Sequence, residues 1–222
     1  MRLRGVNRMK RISMTLVSLG IWHTASIANP VDGPKIAGHL SAYTTKAICT
    51  NSIAKPPCNP GQSNMAVHGE LNTSYSLYLV VLDGDSTSGV AGASFGIEYN
   101  GTSGVGMDAY SWTMCADIQY SGGPSGVAWP ASGSGNMILW DPQTSCKRVS
   151  ATGDLNGGVT AVLGSIYVYA YSADLFSITR RNYIPTPDLN VGTCLPLTID
   201  LVFPGAVGKV GFGTTQGVDP CQ

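Results

Sequence analysis

Two stretches separated by a short polar turn decide the fold: Tyr75-Ser-Leu-Tyr-Leu-Val-Val81 and Ala93-Ser-Phe-Gly-Ile-Glu-Tyr99. In both, apolar or aromatic residues recur at every second position, the spacing that places side chains on one face of a β-strand. Asp83-Gly-Asp85 lies between them, and the second stretch runs into Asn100-Gly101; both are turn sequences. The pattern predicts two successive strands, each ended by a tight turn of the hairpin type.

The same alternation recurs along the rest of the chain, whereas helical periodicity does not. Glycine is frequent, with 28 residues, and only 12% of residues are charged, so few positions favour an exposed helix. The sequence therefore predicts an all-β fold, a single antiparallel β-sandwich of about eight to ten strands. Further strand-like runs lie at 36–48, 110–120, 136–140, 159–171, 195–203 and 209–213.

The N-terminus is typical of an export signal. A basic segment without acids precedes the apolar run Ile12–Trp22, and Ser26-Ile27-Ala28 supplies small residues where a signal peptidase reads. The run is too short for a membrane anchor, which needs roughly 20 residues. We expect residues 1–28 to be a signal peptide cleaved after Ala28, leaving 29–222 as one domain, secreted or periplasmic. The basic residues of the segment are Arg2, Arg4, Arg8, Lys10 and Arg11.

The balanced charge of the whole chain hides an acidic domain. The chain has 13 acidic and 13 basic residues, and 5 of the bases lie in the predicted signal. The remaining chain therefore carries 8 bases against 13 acids, a net charge of 8 − 13 = −5. Nucleic acids and anionic membranes require clustered cations, so the composition argues against both as partners, and no later run is long enough to span a membrane.

Six cysteines follow the predicted signal, and an exported chain with this cysteine content is expected to be cross-linked. We predict pairing in sequence order: Cys49–Cys58, Cys115–Cys146 and Cys194–Cys221. Zinc binding is the alternative interpretation. It is disfavoured because the chain has no C-x-x-C motif and only His39 and His68 lie beyond the signal.

One motif has the form of a catalytic site. Gly92-Ala-Ser-Phe-Gly96 matches the G-x-S-x-G nucleophile elbow, but that elbow requires a sharp strand-to-helix turn, and Ser94 lies inside an alternating strand. His39 and His68 are the only candidate bases, and neither lies in a recognisable motif. We therefore predict no catalytic residues and no enzymatic activity.

Asp83-Gly-Asp85 also resembles the start of a calcium-binding loop. The match lacks the expected third ligand, has its glycine one place late, and has Ser94 at the twelfth position instead of glutamate. We interpret the segment as a turn and predict no cofactor. A looser calcium site at Asp83 and Asp85 is the alternative.

Aromatic residues provide the candidate binding surface. Tyr167, Tyr169 and Tyr171 fall on one face of a strand and can form a flat platform for sugar rings. The simpler interpretation, which we favour, is that they cover the core. Trp129 lies beside Pro130 in a Gly-rich loop and is the most plausible exposed contact residue.

The segment from Leu77 to Tyr99 resembles a recurring opening of exported bacterial proteins of unknown role, which carry paired cysteines and an immunoglobulin-like sandwich. It is also similar, over roughly 30 residues, to the start of cohesin modules, in which a "V-A-G-x-x-F-x-I-x-Y" strand follows a turn. The resemblance implies an immunoglobulin-like or cohesin-like sandwich. Cohesins lack this cysteine set, so no site residues are carried over.

Together, these features predict a secreted, non-enzymatic binding or display module at the cell exterior that recognises a protein or a glycan. The first alternative is a structural subunit of a surface layer or filament, in which exposed strand edges pair between copies. The second and weaker alternative is an exported hydrolase.

Overall fold

The computed structural model describes residues 33–43, 49, 58, 63–121, 126–148, 158–182 and 188–222. Within these ranges the chain forms twelve β-strands and a 3₁₀ turn at Pro204–Ala206, without any α-helix. The strands are β1 (Lys35–Ala42), β2 (His68–Gly69), β3 (Ser74–Gly84), β4 (Val90–Glu98), β5 (Met107–Met114), β6 (Ile118–Ser121), β7 (Gly135–Leu139), β8 (Val159–Ala170), β9 (Asp174–Thr179), β10 (Asn190–Thr193), β11 (Ile199–Leu201) and β12 (Lys209–Phe212).

The strands form a four-stranded and an eight-stranded sheet that share one apolar core, so the predicted all-β sandwich is confirmed. Eight to ten strands are too few, because the short strands β2, β9 and β10 lie outside the predicted runs. The predicted run 110–120 also divides into β5 and β6.

The four-stranded sheet has the order β1-β3-β8-β5, and every pairing in it is antiparallel. Its two central strands, β3 and β8, are the longest of the described chain, with 11 and 12 residues. The β5–β8 pair is irregular between Ala109 and Trp112. The sheet therefore places the C-terminal half of β8 next to β3 on one side and β5 on the other.

The eight-stranded sheet is organised around β4. One edge of β4 pairs with β7, which continues to β6. The other edge pairs with β10 through its first half and with β9 through its second half. The sheet thus forks, and one branch ends at β11 while the other runs through β12 to β2. Only the β2–β12 pair is parallel among the described strands.

The core lies between the two sheets and follows the alternation of the sequence. From β3, Leu77 and Val81 point inward, and from β4, Phe95 and Ile97 do so; all four are fully buried in one cluster. Burial of each such side chain contributes about 1.5–3 kcal/mol. The alternation of these same residues predicted the two strands from the sequence.

The outer face of the four-stranded sheet is also apolar near β3. Tyr78, Val80 and Leu82 alternate with the core residues and pack in a second buried cluster, which includes Cys58 and Cys221. Residues 63–67 belong to this cover, since Met65 is in the cluster and the carbonyl of Ala66 accepts a hydrogen bond from Leu40. β3 is therefore buried on both faces, which explains why its sequence is apolar almost throughout.

The predicted disulfide pairing is wrong in every bond. The structure pairs Cys49 with Cys115, Cys58 with Cys221, and Cys146 with Cys194. The topology provides the reason for the third bond: Lys147 bridges to Val90, and Thr193 pairs with Val90 from β10. Cys146 and Cys194 therefore meet beside the start of β4.

The chain turns after β3 at residues 86–88 and again between β4 and β5, but neither turn forms a hairpin. Asp83 and Gly84 of the predicted first turn still belong to β3. β3 and β5 belong to the four-stranded sheet, whereas β4 belongs to the eight-stranded one. Both turns therefore carry the chain from one sheet to the other. The amide of Thr102 donates to the side-chain oxygen of Asn100 at 3.0 Å, the local bond that favours Asn at such turns.

The predicted signal peptide, residues 1–28, lies outside the described residues and remains a prediction. The described part of the chain has no helix with the length and hydropathy that a transmembrane span requires.

Candidate functional site

Five tyrosines meet on the outer side of the four-stranded sheet, and we call this surface the tyrosine face. Tyr167 and Tyr169 project from β8 on the side opposite the core residues Val168 and Ala170. Three more tyrosines join them from β5 and from the segments after β1 and β8. The five are Tyr43, Tyr110, Tyr167, Tyr169 and Tyr171.

The rings form one continuous surface through direct contacts. The ring of Tyr167 lies 4.6 Å from that of Tyr43 and 5.1 Å from that of Tyr110, the latter pair being stacked. Tyr169 and Tyr171 have ring centroids 4.7 Å apart. The hydroxyls of Tyr110 and Tyr171 lie 2.8 Å apart and join the two groups.

This surface is open to solvent. Tyr43, Tyr110 and Tyr171 expose 45%, 50% and 41% of their surface, and Tyr167 and Tyr169 are half-buried. The favoured interpretation of the tyrosines as core cover is therefore wrong, because alternation places residues on one face of a strand without saying which face meets the core. Whether the tyrosines contact a ligand remains a prediction.

Asp108 provides a carboxylate at the border of the tyrosine face. It accepts hydrogen bonds from the hydroxyls of Tyr110 and Ser103, both at 3.3 Å, and from the amide of Gly104 at 3.2 Å. The hydrogen bond with Tyr171, followed by desolvation and the charge of Asp108, raises the pKa of Tyr110. Tyr110 therefore stays a neutral hydrogen-bonding phenol at physiological pH.

An aromatic cleft of about 420 Å³ adjoins the tyrosine face. Its walls come from the β4–β5 turn, the start of β5 and the β6–β7 connection, and its main side chains are Tyr99, Asp108, Tyr110, Trp129 and Pro130. Tyr110 and Asp108 belong to both the cleft and the tyrosine face. The two features therefore form one concave and one flat part of a single aromatic surface.

Trp129 is less exposed than its loop position predicts. Its ring meets Phe95 edge-on at 5.7 Å and Trp112 at 5.3 Å, and the side chain packs against the core. Trp112 in turn lies directly over Gly164, where an added Cβ would overlap its ring. Trp129 thus forms a fixed wall of the aromatic cleft rather than a free loop contact.

Tyr99 fixes the opposite wall of the aromatic cleft. Its hydroxyl donates to the carbonyl of Pro130 at 3.0 Å, while its amide donates to the hydroxyl of Ser132 at 2.9 Å. Burial raises the pKa of Tyr99 to about 12. These bonds hold the loop that carries Trp129, so the aromatic surface is preorganised.

The calcium candidates are engaged in structural roles. Asp83 forms an ion pair with Lys35 at 2.7 Å. Asp85 accepts hydrogen bonds from the hydroxyl of Ser88 and the amide of Thr87, both at 2.7 Å, and these bonds lower the pKa of Asp85. Among the described residues, no group of three or more potential ligands could hold a metal ion.

The residues of the hydrolase alternative lie far apart. Ser94 is buried on the outer face of the eight-stranded sheet, where the guanidinium of Arg181 donates to its hydroxyl at 3.3 Å. His39 alternates with the core residues of β1, so it lies on the outer face of the four-stranded sheet. His68 lies on β2, three strands away from β4. Neither imidazole can serve Ser94 as a general base, which requires hydrogen-bond distance.

No protein-family model and no curated protein matches this sequence. Among solved structures, the fold is similar to the cohesin module from the family 33 glycoside hydrolase of Clostridium perfringens ATCC13124. The TM-score is 0.37 and the identity 9%, over 81% of this chain and 97% of that one. This is a distant structural match to a cohesin module.

Proposed function

We propose that this chain is an exported, non-enzymatic recognition module that binds carbohydrate on the tyrosine face. The observation that carries the proposal is a connected cluster of five tyrosines on the outer side of the four-stranded sheet, three of them exposed and two half-buried. A solvent-facing sheet surface is usually polar. A contiguous aromatic patch of this kind marks a site of interaction.

Export is part of the proposal. The three disulfides fit an oxidising extracellular or periplasmic location, because cytosolic thiols are kept reduced. The basic, apolar and small-residue order of residues 1–28 supports a cleaved signal as the route.

The chemistry of the tyrosine face favours sugars as its ligands. The faces of sugar rings carry C–H groups that pack on aromatic faces, and their edges carry hydroxyls. Tyrosine offers both a flat apolar ring and a polar tip, and few rotatable bonds must be fixed on binding. The carboxylate of Asp108 lies beside the rings and can accept hydrogen bonds from sugar hydroxyls. A few polar groups at the border of an apolar site give orientation and specificity.

Binding without turnover is proposed for the same surface. Glycoside hydrolysis commonly requires a pair of carboxylates flanking the scissile bond. Of the described side chains that line the aromatic cleft, Asp108 alone carries a carboxylate. Its oxygens already accept bonds from Ser103, Gly104 and Tyr110.

The proposal predicts that single tyrosines control affinity. Protein produced in an exporting host, so that its disulfides form, is applied to an array of cell-wall, storage and surface polysaccharides. We expect binding to at least one polysaccharide class. Tyr167→Ala and Tyr171→Ala are each expected to weaken that binding by about tenfold, because truncation of a central aromatic removes a large share of the contact energy.

Tyr120→Ala is the matched control. Tyr120 is 55% exposed on β6 of the other sheet, so its loss is expected to leave sugar binding unchanged. An array without any bound polysaccharide would contradict the proposal. Equal losses in the Tyr120 and Tyr171 variants would contradict the assignment to the tyrosine face.

A further inference from the structure

We infer that the free edge of β11 is a second binding site, which accepts an extended protein segment with apolar residues at alternate positions and Lys or Arg between them. The site is separate from the tyrosine face, since β11 ends a branch of the eight-stranded sheet. The inference rests on an inverted apolar pattern, an unpaired strand edge and an acidic cleft beside it.

The apolar pattern around β11 is the reverse of that of an ordinary surface strand. Ile199 and Leu201 expose 67% of their surface each, whereas Asp200 between them is only half-exposed. The register pairs Ile199 with Gly192 and Leu201 with Asn190, so both apolar side chains lie on the outer face of the sheet. Every second residue from 195 to 203 is a large exposed apolar one: Leu195, Leu197, Ile199, Leu201 and Phe203.

The backbone of β11 also has hydrogen-bonding groups that are not used by β10. The carbonyl of Thr198 accepts from Thr193, and the amide of Val202 donates to Leu189. Because hydrogen-bonding groups alternate along an antiparallel strand, the amides and carbonyls of Ile199 and Leu201 point away from β10. No described strand pairs with that edge. Such an edge is a template for an added strand.

The negative charge beside this edge favours the binding of a strand with basic side chains. A cleft of about 690 Å³ lies between β11 and the turn after β3, and it is lined by Asp83, Asp85 and Asp200. Lys35 neutralises Asp83 alone, and Asp200 has no ion-pair partner among the described residues. A strand with a cation between two apolar residues would place its apolar side chains on Ile199 and Leu201 and its charge near Asp200.

A second copy of this chain fits the edge less well. Symmetric antiparallel pairing centred on Asp200 would place the two Asp200 carboxylates directly opposite each other, and like charges in that position are destabilising. A second copy would also add its own Asp83 and Asp85 to an acidic region. The charge therefore favours a basic segment of another protein as the occupant.

The test uses a fluorescein-labelled decapeptide of alternating valine and lysine, titrated with the oxidised protein by fluorescence anisotropy. We expect saturable binding. Ile199→Ser and Asp200→Asn are each expected to weaken it by about tenfold, since one removes an apolar contact and the other the unpaired charge. Both side chains are at least partly exposed, so the variants are expected to fold, which circular dichroism checks.

Ile118→Ser is the matched control, because Ile118 is 50% exposed on β6, another edge of the same sheet. It is expected to bind the peptide as the parent does. A valine–glutamate decapeptide and a valine–lysine decapeptide N-methylated at its valine amides are expected not to bind, because the valines lie opposite Ile199 and Leu201 and their amides would face β11. Binding of either, or an Ile199→Ser variant that binds normally, would overturn the inference. So would a dimer that forms without peptide and is lost in Ile199→Ser, since the occupant would then be a second copy.

Discussion

Removal of the Cys58–Cys221 disulfide, by the double substitution Cys58→Ala and Cys221→Ala, is expected to lower the free energy of unfolding by about 4 kcal/mol. The bond joins residues separated by 163 positions in the sequence, so its loss releases a long loop in the unfolded chain. In a domain of this size, the midpoint of thermal unfolding is expected to fall by about 10 °C.

The loss also has a local consequence in the folded protein. Both cysteines belong to the cluster that covers Tyr78, Val80 and Leu82 on the outer face of the four-stranded sheet. Without the bond, this cover can detach while the core between the sheets remains. We therefore expect the double variant to bind a hydrophobic dye such as ANS at temperatures below its unfolding transition.

The matched comparison is removal of Cys146–Cys194, which closes a shorter loop of separation 48. This variant is also expected to unfold at lower temperature, but without exposing the outer face of β3. Scanning calorimetry and ANS fluorescence on both variants separate the two effects. Loss of less than about 1 kcal/mol on removing Cys58–Cys221, or equal dye binding by both variants, would contradict this account.

Phe95→Ala is expected to have an effect of similar size, about 3–5 kcal/mol. The ring of Phe95 is fully buried between the two sheets and supports Trp129 edge-on at 5.7 Å. Its removal leaves a cavity in the core and takes away the support of one wall of the aromatic cleft. Urea unfolding is expected to show the loss of stability, and intrinsic tryptophan fluorescence is expected to change in the folded state.

Phe95→Leu serves as the control, because it keeps most of the apolar volume. We expect it to cost less than half as much and to leave the tryptophan spectrum closer to that of the parent. If Phe95→Ala proved as stable as Phe95→Leu, the placement of this side chain in the centre of the core would be wrong.

The long strands could be predicted from the sequence because their alternation is long enough to be read. β3 and β4 carry apolar or aromatic residues at every second position from Tyr75 to Val81 and from Ala91 to Ile97, and most of these residues are buried. β2, β9 and β10, with 2, 6 and 4 residues, were too short to be found in this way. β11 lies within the predicted run 195–203, but its apolar residues point outward, so alternation alone does not show which of its faces meets the core.

Only part of the candidate site could be predicted from the sequence. Alternation placed Tyr167 and Tyr169 on one face, but the choice of the outer face depends on Val168 and Ala170 entering the core. Tyr43 and Tyr110 join the tyrosine face through strand order, for which no local signal exists. Trp129 lies in a Gly-rich loop, yet its burial depends on Phe95 and Trp112, which come from two different sheets.

The disulfides failed to follow sequence order for a related reason. Pairing in sequence order assumes that each bond closes a local segment, whereas two of the three bonds join residues 66 and 163 positions apart. Cys146 and Cys194 come together because both flank the start of β4. Gly89 lies beside this disulfide, and a Cβ atom added to it would be only 2.5 Å from the sulfur of Cys146. Its φ is +73°, so any other residue there would be both crowded and strained.

Peptide mapping under non-reducing conditions, on protein recovered from the medium or periplasm of an exporting host, tests the central claim of an exported, cross-linked sandwich. We predict an N-terminus at Asn29, no free thiol, and the three linkages Cys49–Cys115, Cys58–Cys221 and Cys146–Cys194. An unprocessed intracellular chain with titratable thiols, or a different set of linkages, would contradict it.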